Sequence, residues 1–483
     1  MPIHFTTMSP FRNLGPLWVI MPLLLLVTGC GIKPEVQTAP NTLSSRSLSN
    51  GDRSESSHIQ LFFDGTANKW NTRTNVRRLF ERCAAAEDPK YPCLYVDGVG
   101  NNSLSGMIFA VGLKPRVLEG YKFLARNWSG PKDEIRIYGF SRGAFEARVL
   151  AGLVAHCGLP DGRAMSDRDL DRLANQVWKE SERLVDAMPG TCAPEWESKL
   201  QANRDTLAAK LSRDGFPTPF SNRVPTIHFM GLWDTVPGLQ FAKIKDDITM
   251  TDQKKTQRYK IRPYSNIKVI CHALALDEHR KQFAPLLVGD ALDSTKTKVT
   301  EVWFPGAHAD IGGGYPDSND LAGEPMTWMI QNMRENGIGY LNFKPYRDPT
   351  AVQHHPENVS PNNVGGIKYR VLPEGSFIHR SVFIRVNHGP VKNGNSGKEK
   401  PESMKYECYR PRIGVYPGGE ENQVQFKPLR NRSDWSPFLK RNRLRLYTTL
   451  QSTESGRTHT DENMLFQLPV ELPDSNAPAS THP

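Results

Sequence analysis

The segment from Tyr138 to Gly143 contains Gly139-x-Ser141-x-Gly143, a pattern that can present a serine hydroxyl on a sharp strand-to-helix turn. A serine hydroxyl is a weak nucleophile near neutral pH. It needs a histidine to take its proton, and the histidine needs a carboxylate to fix its tautomer and stabilise the imidazolium. In one large class of serine hydrolases these groups follow in the order serine, acid, histidine. Asp234 in "GLWDTV" and His308 in "PGAHADIGGGY" keep that order. Asp310 and Asp277 are rival acids, and His272, His279 and His379 are rival bases. His308 ranks first because the glycines around it let the backbone bend about a ligand. Gly139 and Gly143 fit the elbow, where strand and helix approach too closely for side chains. An oxyanion hole is expected from the backbone N–H of Arg142, with that of Gly65 or Thr66 in the turn "FFDGT". The competing role for Gly65 is turn geometry alone. Asp64 in that turn cannot belong to a haloacid-dehalogenase phosphatase site, because Phe62 stands where the nucleophilic aspartate is required. Asp64 and Asp310 lie beside glycine-bearing turns but offer too few ligands for a cation. No C-x-x-C pair is present, so no structural zinc is expected, and neither is another cofactor.

These residues need elements to hold them. "HIQLFF" (58–63), "CLYVDGVG" (93–100), "EIRIYGF" (134–140), "TIHFMGLWDTV" (226–236) and "KVTEVWFPGAH" (298–308) read as strands running into turns. "LKPRVLEGYKFLARNW" (113–128) and "RGAFEARVLAGLVAHCG" (142–158) have helical spacing, and "NIKVICHALALDEHR" (266–280) also reads as helical, which makes His272 and His279 structural. Strands alternating with helices predict an α/β fold with a mostly parallel sheet, of the α/β-hydrolase type, and a polar helical insertion over 158–222. In such sheets working residues gather at the carboxyl ends of strands. Asp64, Ser141, Asp234 and His308 each follow a predicted strand.

The chain has 483 residues, 38% hydrophobic and 23% charged, which excludes wholesale disorder. Its net charge of +10 suits an anionic surface but does not by itself separate lipid headgroups from nucleic acid. Arg12 and the apolar run that follows end at Val27-Thr28-Gly29-Cys30, which resembles a bacterial lipobox with Cys30 as the lipidated residue. Residues 1–30 are accordingly expected to be a lipoprotein signal, and the polar residues 31–57 an unstructured tether. A catalytic domain would span 58–390, a basic region 391–467 and a disordered tail 468–483. Of the remaining cysteines, Cys83 and Cys93 are the simplest pair to bridge, across a turn-rich loop. The basic stretch 427–447, with Trp435, Phe438 and Leu439 among its cations, reads either as a lipid-surface element or as a solvated face of the main domain.

Five blocks, "FFDGTANKWN", "GFSRGAFEAR", "GLWDTV", "ALALDEHRKQF" and "VWFPGAHADIGGGY", together resemble the DUF2235 family, whose members include phospholipase effectors of type VI secretion with a Tle1-like catalytic domain. The resemblance implies Ser141 as nucleophile, Asp234 as acid, His308 as base, and phospholipid acyl esters as substrate. "IHRSV" resembles a further family segment and makes His379 a secondary site residue. With the leader, this gives a lipid-anchored hydrolase of the bacterial cell envelope, on the outer membrane or its periplasmic face, with membrane lipid and not nucleic acid as partner. The alternatives are an esterase acting on small or cell-wall acyl groups, and a non-catalytic binding or decoy protein that keeps the scaffold.

Overall fold

Alternating apolar residues along the central strands send side chains to both faces of one sheet. The computed structural model describes residues 36–38, 56–65, 68, 72–86, 88–98, 112–184, 195–216, 223–237, 259–338, 343–359, 366–395, 403–415, 423–427 and 435–447. Cys30 and the leader, Thr66 and the tail 468–483 lie outside these residues.

The main sheet has nine strands: β1 (Val36–Thr38), β2 (His58–Phe63), β3 (Cys93–Val96), β4 (Glu134–Phe140), β5 (Ile227–Trp233), β6 (Val269–Ala275), β7 (Lys298–Phe304), β10 (Phe377–His379) and β15 (Arg445–Tyr447), in the order β1-β3-β2-β4-β5-β6-β7-β10-β15. Only β1 runs antiparallel to its neighbour. Ile59, Leu61, Ile135, Ile137, Met230 and Leu232 point to one face. There they meet the helices Leu113–Asn127 and Arg142–Cys157. Phe62, Tyr138, Phe140, Phe229 and Trp233 point to the other, towards the helices Asn75–Ala84 and Gly323–Glu335. The chain moves outward from β2 to β3, then crosses back to place β4 on the opposite side of β2. A crevice forms outside the carboxyl ends of strands at such a switch point. Parallel strands, helices on both faces and a nucleophile-type turn after β4 make this an α/β-hydrolase-like fold.

The expected insertion is a pair of helices, Asp167–Ser181 and Glu195–Arg213. Ser166 caps the first by accepting from the Asp169 N–H at 3.1 Å. Leu170, Leu173, Leu207 and Leu211 pack the pair into the same core as the helix after Ser141.

Four expectations are corrected. The stretch 266–280 is not helical: Val269–Ala275 is strand β6, buried at every residue between β5 and β7. A short apolar run buried on both faces carries no periodicity to separate it from a buried helix. Within the expected tether, Val36–Thr38 pairs with the edge strand β3 (Val36↔Val96), satisfying backbone groups that would otherwise lie open. The boundary at residue 390 does not hold, because β15 pairs with β10 (Phe377↔Arg445) and completes the main sheet. Cys83 and Cys93 are free thiols, with the Cys83 Sγ accepting from Gln60 Nε2 at 3.0 Å.

Two small three-stranded sheets flank this end of the molecule. One comprises β8 (Gln353–His354), β11 (Pro390–Gly394) and β12 (Lys405–Cys408), and the other β9 (Val371–Leu372), β13 (Arg412–Val415) and β14 (Gln423–Gln425). The helix Trp435–Arg441 turns Trp435 and Leu439 inward against Phe383 and Phe426, so these apolar groups serve packing. Among the described residues no helix is long and apolar enough to cross a membrane.

Trp435 is 3% exposed, with its ring centroid 4.2 Å from that of Phe383. Trp435→Ala should therefore destabilise the whole domain by about 3–5 kcal/mol, the usual loss for a large buried aromatic. Denaturant unfolding followed by fluorescence and circular dichroism checks this. A main transition left in place would show that the C-terminal region folds separately.

Candidate active site

The site begins with backbone geometry. β4 runs straight into Ser141, whose φ of 59° and ψ of −124° form the abrupt turn before the helix Arg142–Cys157. A non-glycine residue rarely takes positive φ, and surrounding structure must hold it there. Glycines make the turn possible: a Cβ on Gly143 would strike the Phe63 carbonyl oxygen, and one on Gly139 would strike the Ala144 backbone. Asp234, at the end of β5, also has positive φ (37°). Two backbone bonds tie these turns together. The Ser141 N–H donates to the Trp233 carbonyl at 2.9 Å, and the Val236 N–H donates to the Ser141 carbonyl at 3.3 Å.

His308 arrives from the turn after β7, at the start of the short helix His308–Gly312. Its Nε2 lies 2.7 Å from Ser141 Oγ and its Nδ1 2.6 Å from Asp234 Oδ2. The ring sits between Phe140 and Phe283, at centroid distances of 4.7 and 5.0 Å, which limits its rotation. Ser141, His308 and Asp234 are 4%, 5% and 0% exposed. In this water-poor setting each hydrogen bond is stronger than in solvent. Burial pushes the Asp234 carboxyl up, but the Arg370 guanidinium and the His308 hydrogen bond outweigh it and hold the group below its ordinary value. The geometry permits proton transfer from Ser141 to Nε2 while the carboxylate faces Nδ1.

The other candidates are placed elsewhere. Asp64 accepts from Thr74 Oγ1 at 2.6 Å, Tyr95 Oη at 2.8 Å and the Gly65 N–H at 2.7 Å. Burial pushes its carboxyl up to about 6, with these three donors working against the rise. The Gly65 N–H is thereby engaged by Asp64. A Cβ on Gly65 would lie 2.9 Å from the Ser141 Cβ, so glycine allows this turn to approach Ser141. Arg142 provides the first N–H of the helix after Ser141, at its positive end. Asp310 accepts from the Ala307 and His354 N–H groups at 2.9 and 3.0 Å and bonds His354 Nδ1 at 2.6 Å, which locks the loop that carries His308. Asp277 bonds the Gly306 N–H and Tyr409. His379 caps the helix Arg380–His388, meets Ser381 Oγ at 2.8 Å and stacks on Phe304; it is not brought to Ser141. His272 joins Glu301 to the Thr235 N–H, and His279 pairs with Glu357. Among the described residues no group of three His, Cys, Asp or Glu is arranged to hold a metal.

Sequence reasoning missed Arg370, Glu278 and His354. Arg370 Nη2 donates to Asp234 Oδ2 at 3.0 Å. Glu278 accepts from the His308 N–H at 3.2 Å and pairs with Arg280 through Nε and Nη2 at 2.8 and 2.7 Å. His354 bridges Asp310 and Asp317 beneath the Tyr315 ring. Only "LDEHR", with Asp277 and Glu278 next to His279 and Arg280, carried a local signal for any of these.

Residues 58–332, more than half of the chain, match the family described as "T6SS, Phospholipase effector Tle1-like, catalytic domain". The uncharacterized protein YEL023C of Saccharomyces cerevisiae is 27% identical over 267 residues, which cover 51% of this chain and 35% of that protein. The chain thus spans about a third of the length of this curated relative. Two solved structures are each 18% identical. An uncharacterized protein from Pseudomonas aeruginosa matches over 61% of this chain and 47% of its own, with a TM-score of 0.33. The Tle1 effector bound to the VgrG spike of the type VI secretion system matches over 59% and 57%, with a TM-score of 0.26.

The lock beneath His308 gives a pH signature. Burial lowers the His354 value, but Asp310 and Asp317 outweigh it and raise the group from 6.5 to about 9. A histidine whose folded value is raised stabilises fully below its unfolded value and loses that contribution as pH climbs through the folded one. Stability contributed by His354 should therefore fall between about pH 6.5 and 9. Unfolding curves of the protein and of His354→Gln should converge across that window, and a difference that does not change with pH would refute the assignment.

Proposed function

The chain belongs to the family of Tle1-like catalytic domains of type VI secretion phospholipase effectors, and from that premise we propose that it is a serine hydrolase cleaving the carboxylic esters of phospholipids. One observation carries this reading: a single imidazole lies 2.7 Å from Ser141 Oγ and 2.6 Å from a buried carboxylate. Ser141 Oγ attacks the acyl carbonyl as His308 Nε2 takes its proton, and Asp234 stabilises the imidazolium through Nδ1. The Arg142 N–H, at the positive end of its helix, stabilises the tetrahedral oxyanion. His308 then protonates the departing glycerol oxygen, which leaves an acyl-serine. Water, activated by the same histidine, releases the fatty acid and restores Ser141.

Ser141→Ala and His308→Ala should each lose roughly 10³-fold or more in fatty-acid release from phospholipid vesicles. The double variant should be little worse than either, because members of such a constellation act as a unit. Ser141→Ala should also lose labelling by a fluorophosphonate, whereas His379→Ala should still be labelled. Near-normal turnover in a folded Ser141→Ala variant would sink the mechanism. Release from soluble short-chain esters without release from vesicles would favour the small-ester reading, and no labelling at all the decoy.

The anchor belongs to the same proposal. Val27-Thr28-Gly29-Cys30 closes an apolar run and supports acylation of Cys30 and attachment to the bacterial envelope. Cys30→Ala should shift the protein out of the membrane fraction, and mass spectrometry of the mature N-terminus is the direct check. An unmodified Cys30 would remove the anchor while leaving the ester chemistry intact.

A further inference from the structure

Asp234 has no exposed surface, and its two oxygens are unequally served. Oδ1 accepts from the Ala275 N–H at 3.1 Å, while Oδ2 faces both His308 Nδ1 at 2.6 Å and Arg370 Nη2 at 3.0 Å. Before catalysis the histidine must be neutral to act as a base. The hydrogen bonds alone would then leave a buried carboxylate without a counter-charge, a strongly unfavourable arrangement. Arginine differs from histidine in staying charged throughout.

Arg370 is held firmly. It is 3% exposed, its Nε donates to the Glu278 carbonyl at 3.1 Å, and its own carbonyl accepts from the Gly414 N–H at 2.8 Å. The next residues, Val371 and Leu372, pair with β13. The guanidinium reaches Asp234 across 136 positions of sequence, from a segment beyond the residues matched to the family.

We propose that Arg370 is a positioning residue of the catalytic relay, supplying the permanent counter-charge of Asp234 and holding its Oδ2 against His308. The proposal rests on the ester-hydrolase reading. Among the described residues, three charged groups flank Asp234 and the His308 ring: Arg370 from the segment before β9, and Glu278 with Arg280 from the turn after β6. Glu278 and Arg280 neutralise each other, which leaves Arg370 as the cation matched to Asp234.

The test uses the full chain, a soluble ester and a fluorophosphonate. Arg370→Met should lower kcat by about 10²-fold, short of the roughly 10⁴-fold that loss of a triad acid's function brings, with KM little changed. Removing the guanidinium also removes the largest influence that holds Asp234 below its ordinary value, so the acid limb of kcat/KM should move to higher pH. In an Asp234→Asn background the carboxylate has no charge to balance, and Arg370→Met should there cost almost nothing more. A purely structural arginine would cost the same in both backgrounds and leave the limb where it was; that result overturns the proposal. Arg370→Lys keeps the charge without the fork, so its limb should stay at the wild-type pH even where its rate falls. Should Arg370→Met not fold, Arg370→Gln, which keeps polar hydrogen bonding but loses the charge, takes its place: a limb moved to higher pH supports the role and an unshifted one refutes it. A wild-type protein that neither labels nor turns over the ester would instead defeat the hydrolase reading itself.

Discussion

Ser141 sits at positive φ between two backbone hydrogen bonds, one to Trp233 and one from Val236. Those bonds join the turn after β4 to the turn after β5, so the proposed nucleophile and its acid are set by one piece of backbone and not by two independent loops. The strained conformation persists because neighbouring atoms leave no alternative. Gly143 lies against the Phe63 carbonyl, Gly65 against the Ser141 side chain, and the strands beneath are paired in register from Arg136 to Gly139 on both sides of β4. Relaxing Ser141 would break these contacts together.

Electrostatics forms the second layer. Placing carboxylates in a dry crevice is unfavourable unless each finds donors or a cation. Asp234 has Arg370 and His308, Glu278 has Arg280, Asp310 has His354, and Asp64 has Thr74, Tyr95 and the Gly65 N–H. These pairings orient as well as stabilise. Asp64 and Asp310, both set beside the site by their place in the sequence, hold the loops of Gly65 and His308 and take no direct part at Ser141. Carboxylates at the ends of parallel strands can thus fix loop geometry as readily as they can do chemistry.

The C-terminal third is part of this machinery. β10 and β15 extend the main sheet, Trp435 and Leu439 complete a core with Phe383, and the segment leading to β9 carries Arg370 to Asp234. Lys427, Lys440, Arg441, Arg443 and Arg445 are exposed beside the buried Trp435 and Leu439, which accounts for these cations and aromatics lying together without requiring a lipid surface.

Much was legible from local rules. The α/β alternation, the helix that opens at Arg142 and the glycines of the elbow follow from short-range sterics and periodicity, which a few neighbouring residues express. The same rules put Ser141, Asp234 and His308 at strand ends. Strand β6 was not legible, because a run buried on both faces loses the two-residue alternation that marks a strand. His308 ranks above His272, His279 and His379 on local setting alone, and it is the lateral order of strands that brings its ring to Ser141. Arg370 had no readable role at all. A guanidinium finds a carboxylate 136 positions away only after the sheet, its crossovers and the flanking strands have closed, because charge pairing depends on distance in space while sequence patterns report only distance along the chain.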